Sequence, residues 1–372
     1  MIKEIDAKSI LRKQKHIDSW FVSCYGMNLY RGCTHNCVYC DGRAEKYQVA
    51  GEFGREVVVK KNAIDLLRRE LDPKRKRKPF KRGFVMVGGG VCDGYQPAEK
   101  TYQLTRQALQ LLHDYRFPVH MLTKSTLIER DLDLLTAINQ HSRALISMSF
   151  SSVDDDISAI VEPGVPSPTK RLNTLAKFKH HGFACGMFLM PVIPFITDTP
   201  EQIDKALRKA REIGLDYVIF GGMTLKDGRQ KDYFMRVLEQ HFPHLATEYH
   251  VIYPGGQWGA PIPGYSQSIH PVFNSLARAY TISKRIPARL YHDILAENDL
   301  VAVILDQMDY ILKRDGKKST YGYAAHSVLK LNEPLSSMKN RLRELNGVGP
   351  VTERLIKEIL NTGTAAYYEK LL

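Results

Sequence analysis

Between residues 25 and 225 the chain alternates short apolar runs with amphipathic stretches, six times over, and that alternation limits the possible folds more than any other feature. The runs at 25–30, 83–87, 119–123, 144–150, 184–190 and 217–220 read as strands. The stretches at 62–71, 97–114, 131–140, 168–181 and 200–213 read as helices. Leu104, Ala108 and Leu111 recur at i, i+4 and i+7, one apolar helix face. Thr199 is placed to cap the last of these helices, with Pro200 as its first residue and Gln202 as the capping-box partner. Strands joined through helices run parallel, because a parallel pair needs a long crossover. Chain chirality makes each crossover right-handed. Six units are too few to close an eight-fold barrel. The sequence therefore predicts an α/β fold, a partial (β/α)6 TIM-type barrel with a small helical C-terminal domain. In such a barrel the functional groups gather at the carboxyl ends of the strands.

The 372 residues amount to two domains at a typical size of ~150 residues. Residues 1–24 read as an N-terminal extension, 25–225 as the barrel, 226–270 as an irregular connector and 271–372 as the helical domain. The connector carries Tyr253-Pro-Gly-Gly-Gln-Trp258 and Pro261-Ile-Pro-Gly264, and Leu276, Tyr280, Ile282, Leu290, Ile294, Leu300 and Ile304 are the expected core beyond it. Lys plus Arg is 53 against 40 Asp plus Glu, a formal charge of +13, which favours a polyanionic partner such as nucleic acid. The basic run from Lys74 to Arg82 falls between the first helix and the second strand, at the amino-terminal edge of the barrel, where a solvated loop is expected. No run approaches the ~18 apolar residues that span a bilayer. The charged N-terminus has no signal-peptide core. A cytoplasmic location without a membrane partner is expected.

Of the six cysteines, three fall within eight residues, in Arg31-Gly-Cys33-Thr-His-Asn-Cys37-Val-Tyr-Cys40, just after the first strand. A cluster of that kind in a reducing compartment points to metal rather than disulfides. Three thiolates on one loop can each take one iron of a 4Fe-4S cubane and leave the fourth iron open. S-adenosylmethionine (SAM) chelates such an iron through its amino and carboxylate groups, and an electron from the cluster then breaks a C–S bond to give a 5′-deoxyadenosyl radical. The competing use is structural zinc with His35 or Asp41 as fourth ligand, but no second CxxC or His pair follows. Cys24 and Cys185 read as packing residues.

The CxxxCxxC spacing with Tyr39 before its last cysteine resembles the radical SAM superfamily. Further segments resemble its spore photoproduct lyase-related branch: Cys92-Asp-Gly-Tyr95-Gln-Pro97-Ala-Glu99, Leu122-Thr-Lys124-Ser, Arg130-Asp131, and Glu162-Pro163 with Arg171. The resemblance runs from about Leu29 to Phe195. It implies metal ligation by Cys33, Cys37 and Cys40, and SAM contacts from Tyr39, from the glycine run Gly88, Gly89 and Gly90, from Lys124, and from Ser147 or Ser149. Gly90 stands where the superfamily often has glutamate. The resemblance also implies a DNA-repair lyase fed by a reducing donor such as a flavodoxin or ferredoxin. Cys92 is then placed as hydrogen-atom donor to the product radical, because an S–H bond is weak, with Tyr95 as a relay. Cys92 sits a couple of residues off the branch's donor position, and the bland alternatives are a buried thiol and a packing phenol. Radical SAM chemistry on RNA or protein, and a non-catalytic Fe–S or zinc nucleic-acid-binding protein, remain as other functions.

Near the C-terminus, Leu345-Asn-Gly347-Val348-Gly349-Pro350 lies between helical stretches at 336–345 and 351–361. It resembles a helix-hairpin-helix motif of DNA-binding proteins. The amides of Gly347, Val348 and Gly349, with the second helix's N-terminus, are suited to a backbone phosphate. Glu353 stands where that motif usually has a small residue.

Overall fold

The computed structural model describes residues 1–47, 49, 51–89 and 91–372, Ser266 by its backbone alone. Its strands are β1 (Ile2–Ile5), β2 (Leu11–Asp18), β3 (Ser23–Met27), β4 (Tyr30–Arg31), β5 (Val57–Lys60), β6 (Val85–Val87), β7 (Val119–Thr123), β8 (Ala144–Phe150), β9 (Ala184–Val192) and β10 (Tyr217–Gly222). One sheet has the order β10-β9-β8-β7-β6-β3-β2. Its six strands from β3 to β10 are parallel, as the sequence predicts, and β2 adds an antiparallel edge. The smaller sheet, β1-β5-β4, flanks the start of the barrel. Residues 1–24 are therefore more than an extension: they supply β1 and the seventh strand of the main sheet.

The first helices are α1 (Ala63–Leu71), α2 (Glu99–Tyr102), α3 (Leu104–Asp114), α4 (Leu132–His141), α5 (Asp155–Val161), α6 (Pro168–His180) and α7 (Pro200–Ile213). Thr199 caps α7, its hydroxyl accepting from the Gln202 N–H at 3.3 Å. The Gln202 side chain instead accepts from Ser152, so the reciprocal half of the capping box is not made. The helix expected at 97–114 is broken at Gln103, whose φ is +48°. The cause is Glu99: its buried carboxylate turns back to accept the N–H groups of Thr105 and Arg106 and so starts a new helix. Arg130 (2.7 Å) and Tyr30 hold that carboxylate from the other side.

Residues 226–270 are mostly helical rather than irregular: α8 (Arg229–His241), α9 (Ala246–Ile252) and the start of α10 (Pro263–Ala279). Phe234, Met235 and Leu238 give α8 a buried face that pins it over the cysteine loop. Beyond it lie α11 (Glu297–Arg314), α12 (Tyr321–Leu329), α13 (Pro350–Thr362) and α14 (Ala366–Leu371). The helix expected at 336–345 is two short 3-10 turns, Leu335–Met338 and Leu342–Glu344. Ser336, Ser337 and Asn340 favour turns, and only Leu335, Met338 and Leu342 are buried there.

Side chains alternate across the barrel strands. Ile146, Met148 and Phe150 face the surrounding helices, in one core with Leu172, Leu175 and Phe178 of α6. Leu145, Phe188, Tyr217 and Ile219 point into the concave face, where they pack with Val301, Ile304 and Leu305 of α11. The C-terminal helices thus fill the lower part of the half-barrel. The space left open is at the carboxyl ends of the strands.

Candidate active site

The cysteine loop follows β4 directly. Its tight path uses Gly32 (φ +78°) and Asn36 (φ +56°), two residue types that tolerate the left-handed region. Elements distant in sequence satisfy its backbone. Val38 N–H donates to Val161 O (2.9 Å) and Gly164 N–H to His35 O (3.0 Å). Gln96 donates to Gly32 O (3.0 Å), and Gln230 of α8 to Tyr39 O (2.9 Å). Arg43 donates to Cys37 O (3.1 Å) and to Asn36 O (3.3 Å). A loop tied at so many points presents its side chains rigidly.

Cys33, Cys37 and Cys40 are free thiols that line one cavity together with His35, Gly88, Val91, Cys92, Asp93, Leu122, Thr123, Lys124 and Ser149. Of the residues singled out from the sequence, the cavity brings together the three loop cysteines, Gly88, Cys92, Lys124 and Ser149. Gly90 lies outside the described residues. Gly89, Tyr39, Tyr95 and Ser147 are not part of its wall. Ser147 sits one layer deeper, its hydroxyl between His120 Nε2 and the Tyr217 phenol, each at 2.8 Å. Tyr39 is buried behind the cysteines, its hydroxyl bonded to Glu162. Tyr95 is buried and lines the adjoining cleft with His35, Arg130 and Gly164. Gly347, Val348 and Gly349 lie at the C-terminal hairpin, not in the cavity wall.

Gly88 ends β6 with φ +92°, and a Cβ there would collide with the Leu122 carbonyl of β7. Cys92 is buried, with Sγ 3.7 Å from the Asn28 side-chain amide. Burial and the nearby Asp93 push its thiol up to about 12, so it stays protonated at neutral pH.

The sequence reading gave no role to Asp93 or Glu162. Asp93 accepts from the Thr123 hydroxyl (2.7 Å) and the Lys124 N–H (2.7 Å), and faces His35 Nδ1 at 3.4 Å. It locks the end of β7 to the loop that carries Cys92. Glu162 is fully buried and accepts from Lys124 Nζ (2.8 Å), Arg171 (2.5 Å), Ser158 (3.1 Å) and Tyr39. Burial alone would raise its carboxyl, but Arg171 and Lys124 outweigh it and hold the group well below the usual range. Lys124 Nζ also reaches Ser149 at 2.9 Å. The Glu-Pro and Arg segments were visible in the sequence, but the folding of β7, β8, α5 and α6 onto one carboxylate was not.

Three soft sulfur donors on one loop, facing one cavity, suit an iron–sulfur cubane. They do not suit zinc. A zinc ion draws its ligands to about 2.0–2.3 Å from one point. Among the described residues no three His, Cys, Asp or Glu side chains converge on such a point. Asp41 is already engaged by Lys226 (2.7 Å) and Thr224 (2.9 Å), and His35 by Asp93. Among the described residues no helix is long and apolar enough to cross a membrane.

Residues 27–199 match the family model described as the Radical SAM superfamily, and residues 296–365 that of a helix-hairpin-helix domain. An uncharacterized protein of Mycobacterium tuberculosis is 32% identical over 241 residues, 64% of this chain and 69% of its own length. An uncharacterized protein of Methanocaldococcus jannaschii is 31% identical over 220 residues, 59% of this chain and 76% of that one. A solved mutant of spore photoproduct lyase superposes with a TM-score of 0.53 at 15% identity, over 75% of this chain and 79% of that chain. Another, with bound AdoMet and dinucleoside spore photoproduct, gives 0.50 at 16% identity, over 73% and 78%. Those structures share the fold. The motif, the half-barrel behind it and the family match agree: the chain belongs to the radical SAM superfamily, whose enzymes work with a 4Fe-4S cluster and S-adenosylmethionine.

Proposed function

We propose that this enzyme carries its cluster on Cys33, Cys37 and Cys40 and acts on nucleic acid, as a DNA-repair lyase resembling spore photoproduct lyase. The observation that carries the reading is the single cavity shared by those cysteines, Cys92, Lys124 and Ser149. Nucleic acid is supported by the helix-hairpin-helix match at 296–365 and by the +13 charge. The lesion class is supported by the fold shared with a lyase solved with a dinucleoside spore photoproduct.

The bound cluster and SAM supply an adenosyl radical able to take a hydrogen atom from the substrate. The chain's own groups do the rest. Lys124 Nζ offers a donor to the cofactor's polar groups, and Glu162 and Ser149 hold it in place. Gly88 lets the chain pass close to the Leu122 carbonyl beside them. The Cys92 thiol, kept protonated by burial, gives its hydrogen atom to the product radical and becomes a thiyl radical. Tyr95 is the phenol assigned to return a hydrogen atom to that sulfur, and one electron from the external reductant with one proton then restores the phenol.

The test is anaerobic incubation of the cluster-loaded enzyme with SAM, a reductant such as flavodoxin, and UV-irradiated DNA. Restored thymine together with 5′-deoxyadenosine is expected. Unchanged DNA with altered RNA or protein would move the activity to those substrates. No 5′-deoxyadenosine from a fully loaded cluster would end the enzymatic reading.

A further inference from the structure

The segment after α9 presents a tryptophan outside the cavity wall. Trp258 is 67% exposed, an unusual position for so large an apolar ring. Its loop is firmly built. Gly259 N–H donates to Gly256 O (3.0 Å), Leu225 N–H to Gly259 O (2.7 Å), and Gly256 N–H to Asp227 (2.6 Å). Gly255, Gly256 and Gly259 take φ of +117°, +126° and +58°. A Cβ on Gly259 would collide with the backbone of Leu225 and Lys226. The loop is thus stapled to residues 224–227, and these are tied to the cysteine loop through Asp41, the residue after Cys40. The ring is thus anchored to the residue that follows the cysteine motif.

A second feature meets it from the cysteine loop. Lys46 Nζ lies 5.2 Å from the Trp258 ring centroid and 5.0 Å from that of Tyr47. Tyr47 in turn packs against Cys33, Val49 and Phe53. A fixed, exposed aromatic face with an exposed ammonium beside it matches one kind of ligand unit: a flat π-surface carrying a phosphate.

We infer that Trp258 and Lys46 form a base-stacking subsite, in which Trp258 stacks on a nucleobase beside the reacting nucleotide and Lys46 meets its phosphate. This rests on the nucleic-acid reading above and adds to it a place where the strand is gripped outside the cavity. The Trp258 ring is sequence-tolerant by nature, since every base has a π-face.

The experiment measures anaerobic binding of fluorescently labelled DNA to the cluster-loaded enzyme and its variants. Trp258→Ala should weaken binding about tenfold, Trp258→Phe far less, and both should melt like the parent because the side chain is exposed. Lys46→Ala should lower the salt slope by about one phosphate contact. The decisive arm uses DNA with an abasic site next to the lesion. There the parent should bind as weakly as Trp258→Ala, because no base remains to stack. Equal affinity of parent and Trp258→Ala on intact DNA would overturn the inference, as would an equal loss on abasic and intact DNA. A slower rate of reduction by a flavodoxin, with DNA binding untouched, would reassign the ring to a protein partner. If the parent binds no nucleic acid at all, the nucleic-acid reading falls and takes this subsite with it. If the parent binds and repairs but Trp258→Ala behaves identically, only the subsite falls.

Discussion

Glu162 shows how much one side chain organises here. It is a buried carboxylate facing two cations and a phenol, and each partner comes from a different part of the chain. Removing one member of a buried pair leaves the other charge unpaired, at a cost of about 3–5 kcal/mol. Glu162→Gln should therefore lower the unfolding free energy read from urea titration by that order. The double change Glu162→Gln with Arg171→Met should recover part of it, because the stranded guanidinium goes too; a double variant worse than the single would contradict the pairing. Cys92 lends itself to a cleaner separation. Cys92→Ala should keep full iron content and the cluster's absorption, since the ligand set is elsewhere, yet release aberrant products by mass spectrometry of the treated DNA. An unchanged product pattern would dismiss the thiol as hydrogen donor.

Elements decide how such residues can be tested. In the C-terminal hairpin Gly347 has φ +84°, and a Cβ there would lie 2.6 Å from the Ala324 nitrogen. Substituting it would perturb packing against α12 as much as any ligand. Gly349 is the N-cap of α13, extended and surrounded by open space. Gly349→Asp should fold normally, with a gain of about a few tenths of a kcal/mol from the new cap. Its carboxylate would occupy the amides offered to phosphate, so DNA affinity should fall several-fold, read by titration at two salt concentrations. Stability up with affinity unchanged would make the hairpin a connector. Glu353 does not stand in the way, because Arg343 and Lys357 already hold its carboxylate. At the same scale the sequence misjudged α8 and the break at Gln103. Periodicity reports an apolar face, not a carboxylate such as Glu99 that reaches back to start a second helix.

For the whole molecule, the plugged half-barrel has an acid limit. His120, inside the barrel between Phe21 O and Ser147, and His270, against Phe220, are both held near about 4 by burial. The unfolded chain titrates them near 6.5. Between those values the unfolded state binds more protons, so stability is complete above about pH 6.5 and is lost as pH falls toward 4. Each histidine contributes up to roughly 3 kcal/mol across that window. Melting temperatures at pH 7.5 and pH 5 should differ markedly, and His120→Asn should flatten the dependence; an equally steep curve for that variant would remove His120 from the account.

Local patterning was enough to determine the six parallel strands, the α7 cap and the cysteine motif, because periodicity, capping and loop spacing are properties of neighbours along the chain. Tertiary structure alone decided the rest. The lower lumen is filled because α11 packs against Leu145, Phe188 and Tyr217. Ser149 rather than Ser147 meets the cavity because the two share one strand face and Ser149 lies nearer its carboxyl end. Glu162 gathers Lys124, Arg171 and Tyr39 because buried charges must find partners wherever the chain brings them, and no spacing in the sequence encodes that distance.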